Sequence, residues 1–387
     1  MAAILVVVLA MASWAATPVP ACPFCGAVGQ SLAQRRDAAA IVAVAEAEGT
    51  AAADPSSVLM QRFRIDQVLR DTAHASVVGA TVPARVAGPI AGTAVLFGTV
   101  RAAAAEAAVD DRSWSAVAAD ETLLGYVAAA PATDLPAAER LRWFAARLEH
   151  PDPAIAADAF TEFGLSPLTA VRAAAAAVDP VRLQAWVSDP GIDARRRGLY
   201  GLLLGVVAAA AADPAVARTC SDTLHRAVEA PADDFRAGFD GVLAGVLVAE
   251  GENGLDYLEH RGLLGRQARA LDQRHLLAAV RFAAESLTET IPHRRLVAAT
   301  AALLASPAVA ADATVDLARY QAWSTVAEVS RLWDTLGADD PVVRRAVAGY
   351  LTACPLPAAK QALEQIRSRN PQRLQQALDA AALPAAR

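Results

Sequence analysis

The sequence predicts a multidomain, mainly α-helical protein in which a small antiparallel β-barrel or sandwich precedes an α-solenoid. Three observations predict this fold class. An apolar leader opens the chain, short segments with strand-like patterns fill residues 22–128, and helix-length amphipathic segments fill residues 133–387. The chain has 387 residues, a length that fits two or three domains at roughly 150 residues per domain.

Residues 1–21 are predicted to be a signal peptide. Its continuous apolar stretch begins at Ile4, and about a dozen apolar residues match a signal sequence better than the roughly 20 residues that span a bilayer. Small residues allow cleavage after Ala15 or after Ala21. No Lys or Arg precedes the apolar stretch, so only the α-amino group supplies a positive charge. We expect export to the periplasm or the cell exterior, with no transmembrane span after leader removal.

Cys22 and Cys25 form a CPFC motif directly behind the leader. The favoured interpretation is a local disulfide that pins the N-terminus in an oxidising compartment. A redox-active thiol pair is the alternative, although thioredoxin-type sites follow a strand and only the leader lies upstream here. Lipid attachment at Cys22 would make the protein a membrane-tethered lipoprotein. A zinc site would need two further ligands at compatible spacing. We therefore expect no metal and no cofactor.

Five segments between residues 38 and 128 have the patterns of short strands. In "LMQRFRIDQVL", Phe63 and Ile65 alternate with charged residues, which is typical of a half-buried strand. The other segments are apolar runs bounded mainly by glycine. The five segments are 39–49, 59–69, 80–88, 92–100 and 112–119. Such a set of strands predicts a small sandwich or barrel, and an OB-like barrel is the first choice.

This layout resembles the netrin-like, metalloproteinase-inhibitor type of domain. Cys22, the F-x-I-x-x-V pattern beginning at Phe63 and the apolar strand that follows Gly92 occupy the positions typical of that family. The later cysteines that would cross-link such a barrel are missing, so the resemblance does not imply inhibitor activity. Cys220 and Cys354 lie far outside the barrel and are expected to be two buried free thiols.

From residue 133 onwards the pattern changes to the period of an α-helix. In residues 136–150 the apolar side chains recur at intervals of three and four residues. Five Asp-Pro pairs follow, and each predicts a helix start, because Asp caps free N–H groups and Pro suits the first helical position. The aspartates of these pairs are Asp152, Asp179, Asp189, Asp213 and Asp340. The first and third are 37 residues apart, close to the period of two-helix repeats.

Segments such as "HPDPAIAADAFTEF" and "DDPVVRRAVAGYLTAC" resemble the repeats of HEAT-type α-solenoids. The resemblance implies stacked helix pairs over residues 133–387, with an extended concave surface that commonly holds a protein or peptide. The combination of leader, CPFC motif, small β domain and helical repeats also resembles a group of uncharacterised exported bacterial proteins. No activity comes with that resemblance.

The net charge and the sequence motifs limit the possible functions. The chain has 41 acidic and 35 basic side chains and a net charge of -6, which argues against nucleic-acid binding because such binding needs a basic face. Lys360 is the only lysine, which we attribute first to coding bias and second to arginine-specific recognition. No hydrolase, nucleotide-binding or metalloprotease motif appears.

The predicted function is that of an exported, non-enzymatic protein-interaction or scaffold protein, with a protein or peptide ligand on the inner helix row of residues 190–350. The alternative is a thiol-disulfide oxidoreductase that uses Cys22 and Cys25. Three aromatic residues, Tyr320, Trp323 and Trp333, are candidate binding residues. A core position is the favoured interpretation for them, but on an exposed concave face they would anchor a peptide.

Overall fold

The computed structural model describes residues 29–53, 58–74, 77–100, 112–231 and 235–382. Over these ranges the protein is mainly helical and carries a small N-terminal barrel of five strands. The leader, both predicted cleavage positions and the CPFC motif lie outside the described residues.

The barrel is built from the five segments that the sequence predicts. The strands are β1 (Ile41–Ala53), β2 (Leu59–Asp71), β3 (Thr81–Arg85), β4 (Thr93–Val100) and β5 (Arg112–Ala118). They close in the order β1-β2-β3-β5-β4, and every pair of neighbours is antiparallel except β3 with β5. The alternation of apolar and charged side chains decides which face of β2 lies inside the barrel. Phe63 and Ile65 are fully buried, whereas Arg62 and Arg64 are exposed.

The two faces of the barrel wall belong to different hydrophobic cores. Ile41, Phe63 and Trp114 belong to the core inside the barrel. Gly98 makes room for the indole, because a Cβ at this position would lie 2.7 Å from the Trp114 ring. On the opposite face, Phe97 belongs to a second, larger core that continues through the helices. The outer wall of the barrel therefore packs against the helical part.

Helices account for most of the remaining described residues, and none of those helices is long and apolar enough to cross a membrane. They are α1 (Leu32–Ala38), α2 (Glu121–Ala129), α3 (Ala137–Ala145), α4 (Pro153–Leu165), α5 (Leu168–Ala174), α6 (Pro180–Ser188), α7 (Ala194–Ala210), α8 (Pro214–Glu229) and α9 (Phe239–Glu250). Then come α10 (Glu252–His260), α11 (Ala270–Ser286), α12 (His293–Ala302), α13 (Ala310–Arg319), α14 (Val326–Leu332), α15 (Pro341–Ala353), α16 (Pro357–Arg369) and α17 (Pro371–Ala382).

Four of the five Asp-Pro pairs start helices, as predicted. In each, the aspartate side chain accepts a hydrogen bond from the backbone N–H two residues later and Pro occupies the first turn; the four helices are α4, α6, α8 and α15. The prediction for Asp189 is wrong. Its carboxylate accepts a hydrogen bond from Gly191 in a turn, and the next helix begins at Ala194 behind the cap Asp193. Because no helix starts at Asp189, the 37-residue spacing between Asp152 and Asp189 does not mark a helical repeat.

Helices pack with the next but one along much of the chain. α7 contacts α9, α9 contacts α11, α13 contacts α15 and α15 contacts α17. The backbones of α7 and α9 approach so closely that a Cβ on Gly205 would lie 2.2 Å from the carbonyl oxygen of Gly245, and a Cβ on Gly241 would lie 2.1 Å from that of Gly198. Residues 198–208 of α7 and 241–248 of α9 are all buried. Over these residues the two helices are apolar all round, whereas the first turn of α7 carries three arginines that are exposed or half-buried.

Candidate functional site

The four cysteines give no reactive thiol among the described residues. Cys22 and Cys25 lie outside them, so the disulfide and the redox pair both stay predictions. Cys220 in α8 and Cys354 directly after α15 are free and buried, which confirms the prediction for this pair. Burial raises the pKa of the Cys220 thiol and so disfavours the nucleophilic thiolate.

The three predicted binding aromatics lie at and behind the end of α13 but do not form one exposed face. Trp333 is only 3% exposed and belongs to the helical core. Trp323 is half-buried and meets the ring of Tyr350 edge-on, with 5.3 Å between ring centroids. Tyr320 is also half-buried, and its hydroxyl has no hydrogen-bond partner among the described residues. At most two of the three rings are accessible to a partner.

A buried ion pair between Arg281 and Asp316 lies next to Tyr320. Asp316 is fully buried, and both of its carboxylate oxygens accept hydrogen bonds from Arg281 at 2.8–3.0 Å. Arg319 adds a third contact at 3.3 Å. Burial, and secondly the charge of Asp316, raise the pKa of Tyr320. The cluster satisfies its own charges and links α11 to α13, so we interpret it as structural.

A second buried network joins α1 to α4, and we call it the α1–α4 joint. Its residues are Ser31, Leu32, Tyr126, Arg140, Asp158 and Glu162. Asp158 and Glu162 are four residues apart on α4, so the two carboxylates project from one face. Asp158 accepts hydrogen bonds from the backbone N–H of Leu32 at 2.6 Å and from the Tyr126 hydroxyl at 2.7 Å.

Glu162 completes the α1–α4 joint. It is fully buried and accepts hydrogen bonds from the Ser31 hydroxyl and from the Arg140 guanidinium. Burial raises the pKa of Asp158 to about 6, although the hydrogen bonds from Leu32 and Tyr126 act in the opposite direction. The joint fixes the start of α1 to α2, α3 and α4.

A cleft with charged walls lies between two helix-to-helix connections. It has a volume of about 1030 Å³ and is lined by residues from 187–197 and from 226–231 and 235–242. Residues 232–234 lie outside the described residues. We call it the arginine cleft, because Arg197, Arg226 and Arg236 line it.

Two of these arginines have no acidic partner among the described residues. Arg226 donates one hydrogen bond, to the Thr223 hydroxyl at 2.8 Å. Arg197 donates one long hydrogen bond, to the backbone carbonyl of Asp189 at 3.4 Å. Asp189 is the one acidic residue of the described lining, and its carboxylate accepts a hydrogen bond from a backbone N–H in its own turn. Among the described lining residues, three arginines therefore stand against one aspartate.

Arg236 differs from the other two arginines because it helps to build the cleft. Its guanidinium donates hydrogen bonds to the carbonyls of Ala227 and Val228, at 2.6 and 3.1 Å, and stacks over the Phe239 ring at 3.5 Å. Behind it, Asp272 lies at 3.7 Å. Burial lowers the pKa of Arg236, and the charge of Asp272 opposes that shift. These contacts hold the chain between α8 and α9 against the helices.

Apolar side chains complete the wall of the arginine cleft. Phe235 is 56% exposed, although its ring also contacts the imidazole of His275, with 4.8 Å between ring centroids. Val187, Phe239 and Val242 are buried below it. An exposed aromatic ring beside arginines that lack acidic partners is the composition found at the centre of protein interfaces.

Sequence reasoning missed the arginine cleft. Its three arginines are separated by tens of residues, and only the folded connections bring them together. One signal was available, because Phe235 is a large apolar residue in a polar segment between two predicted helices.

The described residues hold no candidate metal site. They contain no group of three or more His, Cys, Asp or Glu side chains that could hold a metal ion. Comparison of the chain with protein-family models, with curated proteins and with solved structures found no match.

Proposed function

We propose that this chain is an exported, non-enzymatic interaction protein that binds a protein or peptide partner in the arginine cleft. The observation that carries the proposal is the composition of the cleft. It combines the exposed ring of Phe235 with Arg197 and Arg226, which have no acidic partner in the described part of the chain. Arginine is enriched among the few residues that carry most of the binding energy at protein interfaces, and phenylalanine is enriched in the composition of such interfaces.

The architecture supports a scaffold role. The strand order β1-β2-β3-β5-β4, with one parallel pair, supports the OB-like barrel. Contacts between alternate helices support a HEAT-like α-solenoid, because stacked two-helix repeats bring every second helix together. In such an arrangement alternate helix-to-helix connections lie along one edge, and the arginine cleft is formed by two alternate connections, α6–α7 and α8–α9.

Export, with a Cys22–Cys25 disulfide, remains part of the proposal. The alternative of a thiol-disulfide oxidoreductase gains no support from the described residues. Intact-mass measurement of the protein from an exporting host, before and after reduction and alkylation, tests both the location and the motif. We expect a chain that begins at Ala16 or Cys22 and holds one disulfide. A diacylglycerol-modified Cys22 would indicate a lipoprotein, and a full-length reduced chain would contradict export.

Site-specific photo-crosslinking tests the interaction. A photoreactive phenylalanine analogue at Phe235 should crosslink reproducibly to one partner in cells that make the full chain. The control position is Val342, which is 60% exposed, similar to Phe235, but lies outside the cleft lining. Identical crosslinks at both positions, or none at Phe235, would contradict a partner in the cleft.

A further inference from the structure

We propose that the first turn of α1, residues 31–34, is a pH-sensitive strap, which is docked on α4 while Asp158 holds a proton and is released when that carboxylate ionises. The docked strap covers apolar surface, because Leu32 and Ala33 are buried in the larger core. Its release therefore uncovers part of that core at the place where α1 contacts both α2 and β4.

The two turns of α1 are held by different groups. The first turn is held by the two carboxylates of α4, through the Ser31 hydroxyl and the Leu32 backbone N–H. The second turn is held by Arg36, which donates hydrogen bonds to the carbonyls of Val127 and Ala130 at 2.9 and 2.6 Å. Loss of the first set of contacts therefore frees the first turn while the second turn stays in place.

The two carboxylates differ in their supply of positive charge. Glu162 pairs with the guanidinium of Arg140. Asp158 has no cationic group within 4.0 Å among the described residues, and its two hydrogen-bond donors, a backbone N–H and the Tyr126 hydroxyl, are neutral. Residues 1–28, which precede the strap, contain no Lys, Arg or His. When both carboxylates are ionised, the docked joint therefore buries one negative charge without a counter-charge, which costs free energy.

The surroundings of Asp158 decide how readily it ionises. Burial is the largest influence and raises the pKa of Asp158 to about 6. The charge of Glu162 acts in the same direction, and that of Arg35 opposes it. Arg35 is engaged with the barrel, since it donates a hydrogen bond to Ser115 at 2.9 Å and lies over the Phe97 ring. The charged and titratable groups around Asp158 are Arg35 of α1, Tyr126 of α2, Arg140 of α3, Arg147 just behind α3, and Glu162 of α4.

The direction of the pH effect follows from this shift. In the released state water reaches Asp158, so its pKa returns towards the ordinary value of 3.8. The docked state binds the proton more tightly, so docking is strongest below about pH 4 and weakens as the pH rises through about 6. The equilibrium constant for release should increase between roughly tenfold and a hundredfold from pH 4 to pH 7. The sign is opposite to that of a carboxylate with a lowered pKa, such as Asp37, whose contacts weaken in acid.

Hydrogen exchange of the full chain at several pH values tests the proposal, with rates expressed as protection factors so that the intrinsic pH dependence of amide exchange cancels. The reporting amides are those of Leu32 and Gln34, which donate to Asp158 and to the Ser31 hydroxyl in the docked strap. We expect their protection to fall between roughly tenfold and a hundredfold from pH 4 to pH 7. Low concentrations of urea should not lower it further, because release exposes little surface, whereas the amides of α9 should lose protection in urea.

Two variants separate the titration of Asp158 from the packing of α1. Asp158→Asn cannot ionise and keeps an oxygen acceptor for the Leu32 N–H, so its strap should stay protected at pH 7 and show no pH dependence. Tyr126→Phe removes a hydrogen bond that favours the ionised carboxylate, so it should move the fall in protection to higher pH. Asp213→Asn is the matched control, because Asp213 is an exposed helix cap outside the joint, and its pH profile should be that of wild type.

Three results would overturn the strap. The first is protection of Leu32 and Gln34 that does not change with pH. The second is the same pH dependence in Asp158→Asn as in wild type, which would assign the titration to another group. The third is protection as high as that of α9 and equally sensitive to urea, which would mean that the first turn is released only when the whole chain unfolds. If Asp158→Asn does not fold, a Tyr126→Phe profile identical to that of wild type contradicts the proposal on its own.

Discussion

The α1–α4 joint and the arginine cleft are both clusters of charged side chains, but they satisfy those charges in opposite ways. In the joint, Asp158 and Glu162 are buried and find all their partners inside the chain. In the cleft, Arg226 is exposed and forms one hydrogen bond to a neutral hydroxyl.

This difference separates residues with a structural role from residues that are available to bind a ligand. A charge that is buried costs free energy unless it is paired and hydrogen-bonded, so a complete internal network indicates a structural role. A charge at a cavity wall without an internal partner costs little in the free protein and is available to a ligand. The comparison predicts that mutations in the joint change stability, whereas mutations in the cleft change binding.

The largest expected effect is that of Glu162→Ala. The change leaves the guanidinium of Arg140, which is 11% exposed, without its carboxylate. Loss of one partner of a buried pair is expected to lower the free energy of unfolding by about 3–5 kcal/mol. Urea denaturation measures this loss. The control is Glu364→Ala, which removes an exposed partner of Arg367 and should cost less than about 1 kcal/mol. Equal effects of the two changes would contradict a structural joint.

The next effect is a pH dependence caused by Asp158. Its pKa is about 6 in the folded protein against an ordinary value of 3.8, so the folded state holds the proton more tightly. The stabilising contribution is therefore fully present below about pH 4 and is lost as the pH rises through about 6, with a total of about 3 kcal/mol.

The variant Asp158→Asn cannot titrate, which isolates this contribution. The difference in the free energy of unfolding between wild type and variant should change between about pH 4 and 7 and be flat above that range. Asp37 also has a shifted pKa, but it changes the free energy of unfolding at lower pH than Asp158 does. Burial acts to raise its pKa, but hydrogen bonds from Arg36 and Thr133 lower it to about 2. A pH-independent difference between wild type and Asp158→Asn would show that Asp158 is not shifted.

The smallest effect on stability is expected in the cleft. Arg226→Ala removes an exposed side chain whose one hydrogen bond is local, so the free energy of unfolding should change by less than about 0.5 kcal/mol. Arg140→Ala, in the joint, is the matched arginine and should cost several times more, because it leaves Glu162 buried and unpaired. Similar losses in the two variants would make the cleft arginines structural and remove the basis for ligand binding.

Local signals in the sequence predicted much of the fold. Alternation around Phe63 and Ile65 identified β2, and Asp-Pro pairs identified four helix starts, because both patterns act through neighbouring residues. Asp189 shows the limit of such signals, since an Asp-Pro pair also suits a turn and Asp193 caps the next helix instead. The burial of residues 198–208 of α7 follows from long-range packing against α9 and was not predicted from the sequence.

Neither charged cluster could be predicted from the sequence. Ser31 and Glu162 meet across 131 residues of chain, and no local pattern encodes that pairing. The arginines of the cleft are equally ordinary in sequence, because Arg197 lies in a run of three arginines of which Arg196 pairs internally with Glu149. Only the fold distinguishes Arg196, which pairs with Glu149, from Arg197, which has no acidic partner among the described residues.

Hydrogen exchange of the full chain, alone and in complex with the partner captured through Phe235, tests the central claim most directly. Bound ligand slows exchange where it contacts or orders the backbone. We predict new protection in residues 187–197 and 226–242, with none in α1 or α4. Protection confined to the region of Tyr320 and Trp323, or protection of the joint without the cleft, would contradict the assignment of binding to the arginine cleft.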